Sequence, residues 1–426
     1  MSAFTVETFQ NEFLADGAGE VNAIVTVTSA DTGPGAVGAN RGGTDATEVI
    51  IVDVSGSMTG ARIQAAKQAT KAAVSVLRDG VRFAVIAGSG RALQAYPLVG
   101  LEVASDRTRA EAAIAINHLE AGGGTAISTW LDAAGRLFRS RPGAVNHAIL
   151  LTDGKNEGEP AEAIPAALQR WQGVFQCDCR GVGIDWAVAE LRAIATALLG
   201  SVDIVAQPDG LVADFTAMVS AAMGKTSADV RLRVWMPVGA SLKFLKQVAP
   251  DVSDLSGQRV EVNARAADYP TGAWGAESRD YHVCVEVPPG AVGDEMLAAR
   301  VSIVVGDDVA AQGLVRAVWT EDTALSTRIN KSVAHYTGQA ELAAVIAEGL
   351  EARKAGDDDT ATMKFGRAAQ LAAASGNAET QALLEKVVDI DDPVTGTVRL
   401  KRRVDTADEM ALDTRSTRTV RVGKAT

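Results

Sequence analysis

Asp53, Ser55 and Ser57 occupy alternate positions in the run Asp53-Val54-Ser55-Gly56-Ser57, and two further segments, Gly122-Gly123-Gly124-Thr125 and Thr152-Asp153-Gly154, follow downstream. Asp53, Asp153, Ser55, Ser57 and Thr125 together offer two carboxylates and three hydroxyls, all of them oxygen donors. A hard divalent ion such as magnesium prefers such donors in a near-octahedral shell and keeps part of its water. Two aspartates and three neutral hydroxyls cannot saturate it. The Asp-x-Ser-x-Ser pattern alone is a weak signal, because composition would produce one in a chain of this length with a probability on the order of 5 to 10%. Ordinary local roles also suit these residue types, since Ser57 and Thr125 are good helix N-caps and Asp53 a good turn residue.

The surrounding elements strengthen the signal. Thr47 to Val52, TEVIIV, is a short β-branched run that predicts a strand buried on both faces and ending at Asp53. Ile63, Ala66, Thr70, Ala73, Val74 and Leu77 then recur at helical spacing, with Gly80 where a helix-ending glycine belongs. Apolar runs predict further strands over 81–87, 147–152, 173–183 and 202–205, alternating with helices over 107–119, 127–138, 191–199 and 211–223. That rhythm predicts an α/β, Rossmann-like domain with a parallel-dominated sheet and helices on both faces, in which ligands sit at the carboxyl ends of strands. Asp53 and Asp153 both follow such ends.

The order DVSGSM, GGGTAI and LLTDG resembles the metal-ion-dependent adhesion site of the von Willebrand factor A (VWA) family. GVGIDW and LRAIA, between Gly181 and Ala195, resemble that family's later strand and helix. The likeness covers residues 47–224 and matches all five ligand positions. It implies that Ser55, Ser57 and Thr125 coordinate a divalent cation directly, while Asp53 and Asp153 act partly through water. The ion, Mg2+ or alternatively Mn2+ or Ca2+, would keep a position open for a glutamate or aspartate of a partner. A VWA domain inserted in a sandwich and followed by helices is also similar to bacterial intracellular proteins.

Beyond Lys225 the apolar period falls to two, at Val230, Leu232 and Val234, at Val260 and Val262, and at Tyr281, Val283, Val285 and Val287. Further runs lie at 299–305 and 314–319, and loops such as Tyr269-Pro270-Thr271-Gly272 and Pro288-Pro289-Gly290 separate them. The pattern predicts an antiparallel β-sandwich over 225–322. Residues 1–46 hold at most two strands, 4–9 and 21–27, which cannot make a core alone. They are assigned to the same sandwich, so that the 47–224 domain is an insertion with Gly33–Thr44 as a flexible lead-in. Residues 323–392 read as a small unit of three helices, broken at Gly356-Asp357 and Gly376-Asn377. Residues 393–426 read as a C-terminal β or tail segment.

With 53 acidic against 41 basic residues and a net charge of -12, no nucleic-acid surface is expected. The N-terminus lacks the form of a secretory signal, and no apolar run nears the roughly 20 residues of a transmembrane segment. A cytoplasmic location is expected, which suits a chain with three cysteines. Cys177-Asp178-Cys179 reads as a buried, inert pair, since a zinc half-site would need partners. Gly224-Lys225-Thr226 is not a phosphate loop, because the earlier glycine position is Val219 and the lysine follows a helix. Asp357-Asp358-Asp359 reads as a solvated helix start and Lys401-Arg402-Arg403 as a solvated strand face.

The leading functional expectation is a non-enzymatic, metal-dependent interaction module, such as a cytoplasmic scaffold or stress or signalling adaptor, whose partner protein supplies the Glu or Asp. An alternative is a magnesium-dependent phosphohydrolase using Asp53, although Ser55 stands where such a site wants a second carboxylate. Another is self-association, with an acid from Asp405 to Asp413 of one copy entering the metal site of the next.

Overall fold

The computed structural model describes residues 4–30 and 45–422, so the lead-in read at Gly33–Thr44 lies outside the described residues. Two units divide the chain: Pro34–Asp229 with Gly272–Gly275 forms one, and Met1–Gly33, Val230–Thr271 and Ala276–Thr426 form the other. The sequence reading placed 272–275 with the sandwich and kept the helical and tail segments separate, whereas here the latter two belong to one unit with the antiparallel strands.

In chain order, β1 (Phe4–Gln10), β2 (Phe13–Ala15) and β3 (Glu20–Ser29) precede the α/β unit. That unit runs β4 (Ala46–Asp53), α1 (Ala61–Ser75), β5 (Arg82–Gly88), β6 (Ala92–Tyr96), β7 (Glu102–Val103), α2 (Asp106–Asn117) and α3 (Ile127–Arg139). It continues through β8 (Val145–Thr152), α4 (Ala163–Trp171), β9 (Gln176–Val182), α5 (Val188–Ala197), β10 (Val202–Val205) and α6 (Leu211–Met223). The sheet order is β10-β9-β8-β4-β5-β6, with β7 also paired to β5. Strands β10 through β5 are parallel, and β6 and β7 form an antiparallel margin.

All eight residues of β4 are buried, which explains its continuous apolar run in place of an alternating one. Helices α1, α2 and α6 cover one face, packing Ala66, Ala73, Ile116 and Phe215 into the same cluster as Ile50 and Val52. Helices α3, α4 and α5 lie outside that cluster and bury Trp130, Phe138, Trp171 and Ile194. From β4 the chain steps to β5 on one side and later to β8 on the other, so the crevice at the carboxyl ends of β4 and β8 is the topological switch point.

Three elements of this unit escaped the sequence reading: α4, β6 and the two-residue β7. Pro165 masked α4, yet proline is tolerated in the first turn of a helix. Strand β6 is only partly buried and carries no clean alternation.

The other unit adds β11 (Val230–Trp235), β12 (Ser241–Ala249), β13 (Ser253–Asp254), β14 (Val260–Asn263), β15 (Ala266–Pro270), β16 (Glu277–Glu286), β17 (Glu295–Val305) and β18 (Asp308–Thr320). One sheet has the order β1-β3-β16-β12-β13 and the other β14-β15-β11-β17-β18-β2. β3 pairs with β16 over ten residues, Glu20 to Ser29, so the N-terminal strands need strands nearly 260 positions away to complete their hydrogen bonds. β12 went unread because bulges at Leu242/Phe244 and Gln247/Ala249 break its period of two. Tyr269-Pro270, read as a loop, is instead the end of β15.

Helices α7 (Thr323–Ser326), α8 (Lys331–Lys354), α9 (Asp358–Ser375) and α10 (Ala378–Val387) follow. The breaks at Gly356 and Gly376 take left-handed φ values of 77° and 68°. Tyr336 of α8 packs on Ile24, Val248 and Ala249 of the first sheet. The end of the predicted helical unit is a strand, β19 (Val388–Asp392), which forms a hairpin with β20 (Thr397–Leu400). The predicted C-terminal β or tail segment contains a helix, α11 (Thr406–Arg415), N-capped by Asp405 and burying Met410 and Leu412. No helix among the described residues is long and apolar enough to cross a membrane.

Gly366 of α9 abuts the β19–β20 turn: a Cβ there would stand 2.4 Å from the Gly396 carbonyl oxygen. Backbone yields less readily than a side chain, so Gly366→Ala is expected to destabilise this unit by about 1–3 kcal/mol. The check is the urea midpoint of the variant, and no change would mean that the hairpin moves aside freely.

Candidate functional site

Three loops meet at the carboxyl ends of β4 and β8. The loop after β4 is tied to the glycine loop before α3 by two backbone hydrogen bonds, Gly56 N to Gly123 O at 2.9 Å and Gly122 N to Val54 O at 2.7 Å. The same loop is anchored to β5 by Val54 N donating to Gly88 O at 2.7 Å. The third loop, after β8, is held over the start of α3. Asn156 Oδ1 accepts from Ile127 N and Glu159 Oε1 from Ser128 N, each at 3.0 Å, satisfying amides that a helix N-terminus leaves unpaired.

Within this frame the side chains form a connected series. Asp53 Oδ1 accepts from Ser55 N at 2.7 Å, and its Oδ2 accepts from the Thr152 hydroxyl at 2.6 Å. Ser55 Oγ lies 3.0 Å from Ser57 Oγ, and Ser57 Oγ donates to Asp153 Oδ1 at 2.6 Å. Arg62 Nη1 donates to Asp153 Oδ2 at 2.6 Å and its Nη2 to Asp185 Oδ2 at 2.9 Å. Thr125 comes in from the glycine loop. The position of a Cβ on Gly154 would be 3.4 Å from Ser57 Oγ and 3.6 Å from Thr125 Oγ1, so both hydroxyls face one small volume. All five residues singled out by sequence are thus brought together. Neither Ser57 nor Thr125 has the simple capping role: Ser57 lies inside a short 3-10 turn, and Ala126 takes the N-cap position of α3.

The donor set suits a hard cation. Asp53 and Asp153 are both 0% exposed, and a buried carboxylate is held ionised by a compensating charge or by hydrogen bonds. Burial pushes the Asp53 carboxyl above its usual range, against the opposing hydrogen bonds from Ser55 and Thr152. Because the Ser57 proton is committed to Asp153, Ser57 Oγ accepts from the Ser55 hydroxyl, which leaves one Ser57 lone pair and the lone pairs of Ser55 Oγ open to a cation. Among the described residues no group of three or more His, Cys, Asp or Glu is arranged to hold a metal ion, so an ion here would have to use hydroxyls.

Sequence reasoning missed Thr152, Arg62 and Asp185. A signal existed for Arg62, since a cation in the first turn of a helix opposes the macrodipole and needs acidic partners from elsewhere.

Comparison with known proteins identifies the family. Residues 48–204 match the family model described as von Willebrand factor type A domain, and residues 370–416 match the one described as von Willebrand factor type A C-terminal domain. A solved structure, von Willebrand factor type A from Catenulispora acidiphila, is 50% identical, with 99% of this chain and 98% of that one covered at a TM-score of 0.93. The chain belongs to the von Willebrand factor type A family. The ArnB paralog VWA2 from Sulfolobus acidocaldarius shares the fold over 97% of each chain, at a TM-score of 0.62 and 15% identity. The Synechocystis sp. protein sll0103 is 29% identical over 214 residues, so the match spans 49% of this chain and 50% of that relative.

Two other clusters in the VWA unit have structural explanations. Cys177 and Cys179 are fully buried with sulfurs 4.0 Å apart, and that contact together with burial pushes the Cys177 thiol well up. At the opposite ends of the strands from the oxygen cluster, His147 of β8 bridges Glu48 of β4 at 2.9 Å and Asp178 of β9 at 3.0 Å. Burial disfavours the imidazolium, but the two carboxylates outweigh it and push the His147 pKa up to about 10 from its usual 6.5. A raised histidine pKa stabilises the fold fully below the unfolded value and loses that contribution as pH climbs through the folded one. The VWA unit of the wild type should therefore melt at progressively lower temperature between pH 7 and 10. A Glu48→Gln/His147→Gln double variant should show a flatter profile, and equal slopes would remove the assignment.

Proposed function

We propose that Asp53, Ser55, Ser57, Thr125 and Asp153 hold a divalent cation, magnesium or in its place manganese or calcium, and that this centre captures a Glu or Asp side chain of a partner protein. The observation that carries the reading is the hydrogen-bonded series Ser55–Ser57–Asp153, with the Thr125 hydroxyl facing the same volume beside Gly154. When bound, the ion supplies a doubly charged ligand position for an incoming carboxylate. The chain's own residues do the positioning: Asp53 fixes the β4 loop through Ser55 N and Thr152, and Asp153 orients Ser57. Neutral hydroxyls leave the cation with more charge to offer than carboxylates would.

On this reading the protein is a non-enzymatic interaction module, a cytoplasmic scaffold or stress or signalling adaptor. Two observations favour it over the alternatives. Both oxygens of Asp53 are engaged inside a buried site and position 55 carries no carboxylate, which suits a structural ligand better than a phosphohydrolase nucleophile. The acids of the 405–413 stretch have work within their own unit: Asp405 caps α11, Asp408 pairs with Lys386 and Glu409 with Arg353. A carboxylate from a different protein is therefore preferred to one from a second copy.

Titrating magnesium and manganese into the whole chain should give saturable uptake, weakened at least about tenfold in Thr125→Ala and Asp153→Ala. Thr125→Ala should melt within about 4 °C of the wild type, because the hydroxyl lies on a loop at the rim of the sheet. Capture of a protein partner should need the ion and disappear with chelator. No uptake of either ion by the wild type ends this reading.

A further inference from the structure

Arg62 is the second residue of α1, a helix with no acid in its first turn. A cation there meets the positive end of the helix dipole, so the helix itself gives no reason for it. Its partners lie on two other loops: Asp153 after β8, whose side chain is fully buried, and Asp185 after β9, which is 59% exposed. The guanidinium itself is one-third exposed and donates a separate N–H to each. Asp153 is shared in turn, with Oδ1 taken by the Ser57 hydroxyl and Oδ2 by Arg62. One of the two carboxylates of the oxygen cluster thus already has a positive neighbour supplied by the chain.

Resting on the cation-binding reading above, we propose that Arg62 is the internal counter-cation of Asp153 and lowers the affinity of the centre for its metal. Two effects of a guanidinium at this place act in opposite directions. As an outer hydrogen-bond donor it orients a ligand carboxylate, and losing such a donor ordinarily weakens metal binding about 10- to 100-fold. As a fixed positive charge it repels a doubly charged ion, and in a water-poor site that repulsion is far stronger than in bulk solvent. Orientation of Asp153 is already secured by the short hydrogen bond from Ser57 and by complete burial, so the charge effect dominates. Asp185 gives the guanidinium a second anchor from which to yield: its bond to Nη2 persists when the Nη1 bond to Asp153 loosens. One of the two carboxylates of the centre is thereby compensated before any metal arrives, and uptake of the ion has to displace that compensation.

The test separates charge from geometry. Arg62→Gln keeps a hydrogen-bond donor and removes the charge, while Arg62→Lys keeps the charge and removes the planar fork. Calorimetric titration of magnesium into the full chain should give binding about tenfold tighter for Arg62→Gln and little changed for Arg62→Lys. In chelator, Arg62→Gln should melt below the wild type, and magnesium should raise its melting temperature by more than it raises that of the wild type. If Arg62→Gln binds magnesium equally well or more weakly than the wild type, Arg62 is an orienting group and the inference is overturned. If neither protein takes up magnesium, the cation-binding reading itself has failed, a result distinguishable from the first because the wild type is silent.

Discussion

Two carboxylates without exposure to water, Asp53 and Asp153, stand at the ends of neighbouring parallel strands, and much of the site's architecture around them serves to keep them there. Burying one charge is costly and burying two side by side more so, unless each is hydrogen-bonded and compensated. Ser55 N and the Thr152 hydroxyl attend to Asp53, and Ser57 and Arg62 to Asp153. Such an arrangement is expected where the excess negative charge has a function, because a well-packed apolar pair would be at least as stable in the same place.

Parallel pairing makes that placement achievable. β4 lies between β5 and β8, so its carboxyl end opens onto the one crevice where the chain has departed in both directions. Backbone bonds between the Asp53 loop and the glycine loop, rather than side chains, set the distance from Ser57 to Thr125. A substitution at the Thr125 hydroxyl therefore makes little call on the core, whereas one at Asp53 or Asp153 leaves buried partners unsatisfied.

The same sheet carries a second buried ionic group, Glu48–His147–Asp178, at its other end, and the contrast is instructive. There the positive charge is a histidine already bonded through both ring nitrogens to carboxylates, with no hydroxyls waiting. It joins three adjacent strands and satisfies itself. The oxygen cluster at the opposite end instead retains serine and threonine hydroxyls directed at a common volume.

Legibility from sequence followed the range of the physics involved. The runs at 47–52 and 147–152 identified their strands because full burial leaves a nearly unbroken apolar stretch, and Gly356 and Gly376 marked helix ends because left-handed φ favours glycine. The five oxygen residues were readable because their types, order and flanking strands are local features. Tertiary structure decided what depends on distant partners. Bulged β12 is held by β16, and α11 is stabilised by burying Met410 and Leu412 within a folded unit. It also decided the meaning of Arg62, whose place in the first turn of α1 hints at acidic partners but does not name them. Only the folding of three strand ends to one rim places it against Asp153, because a charge interaction depends on separation in space and not along the chain.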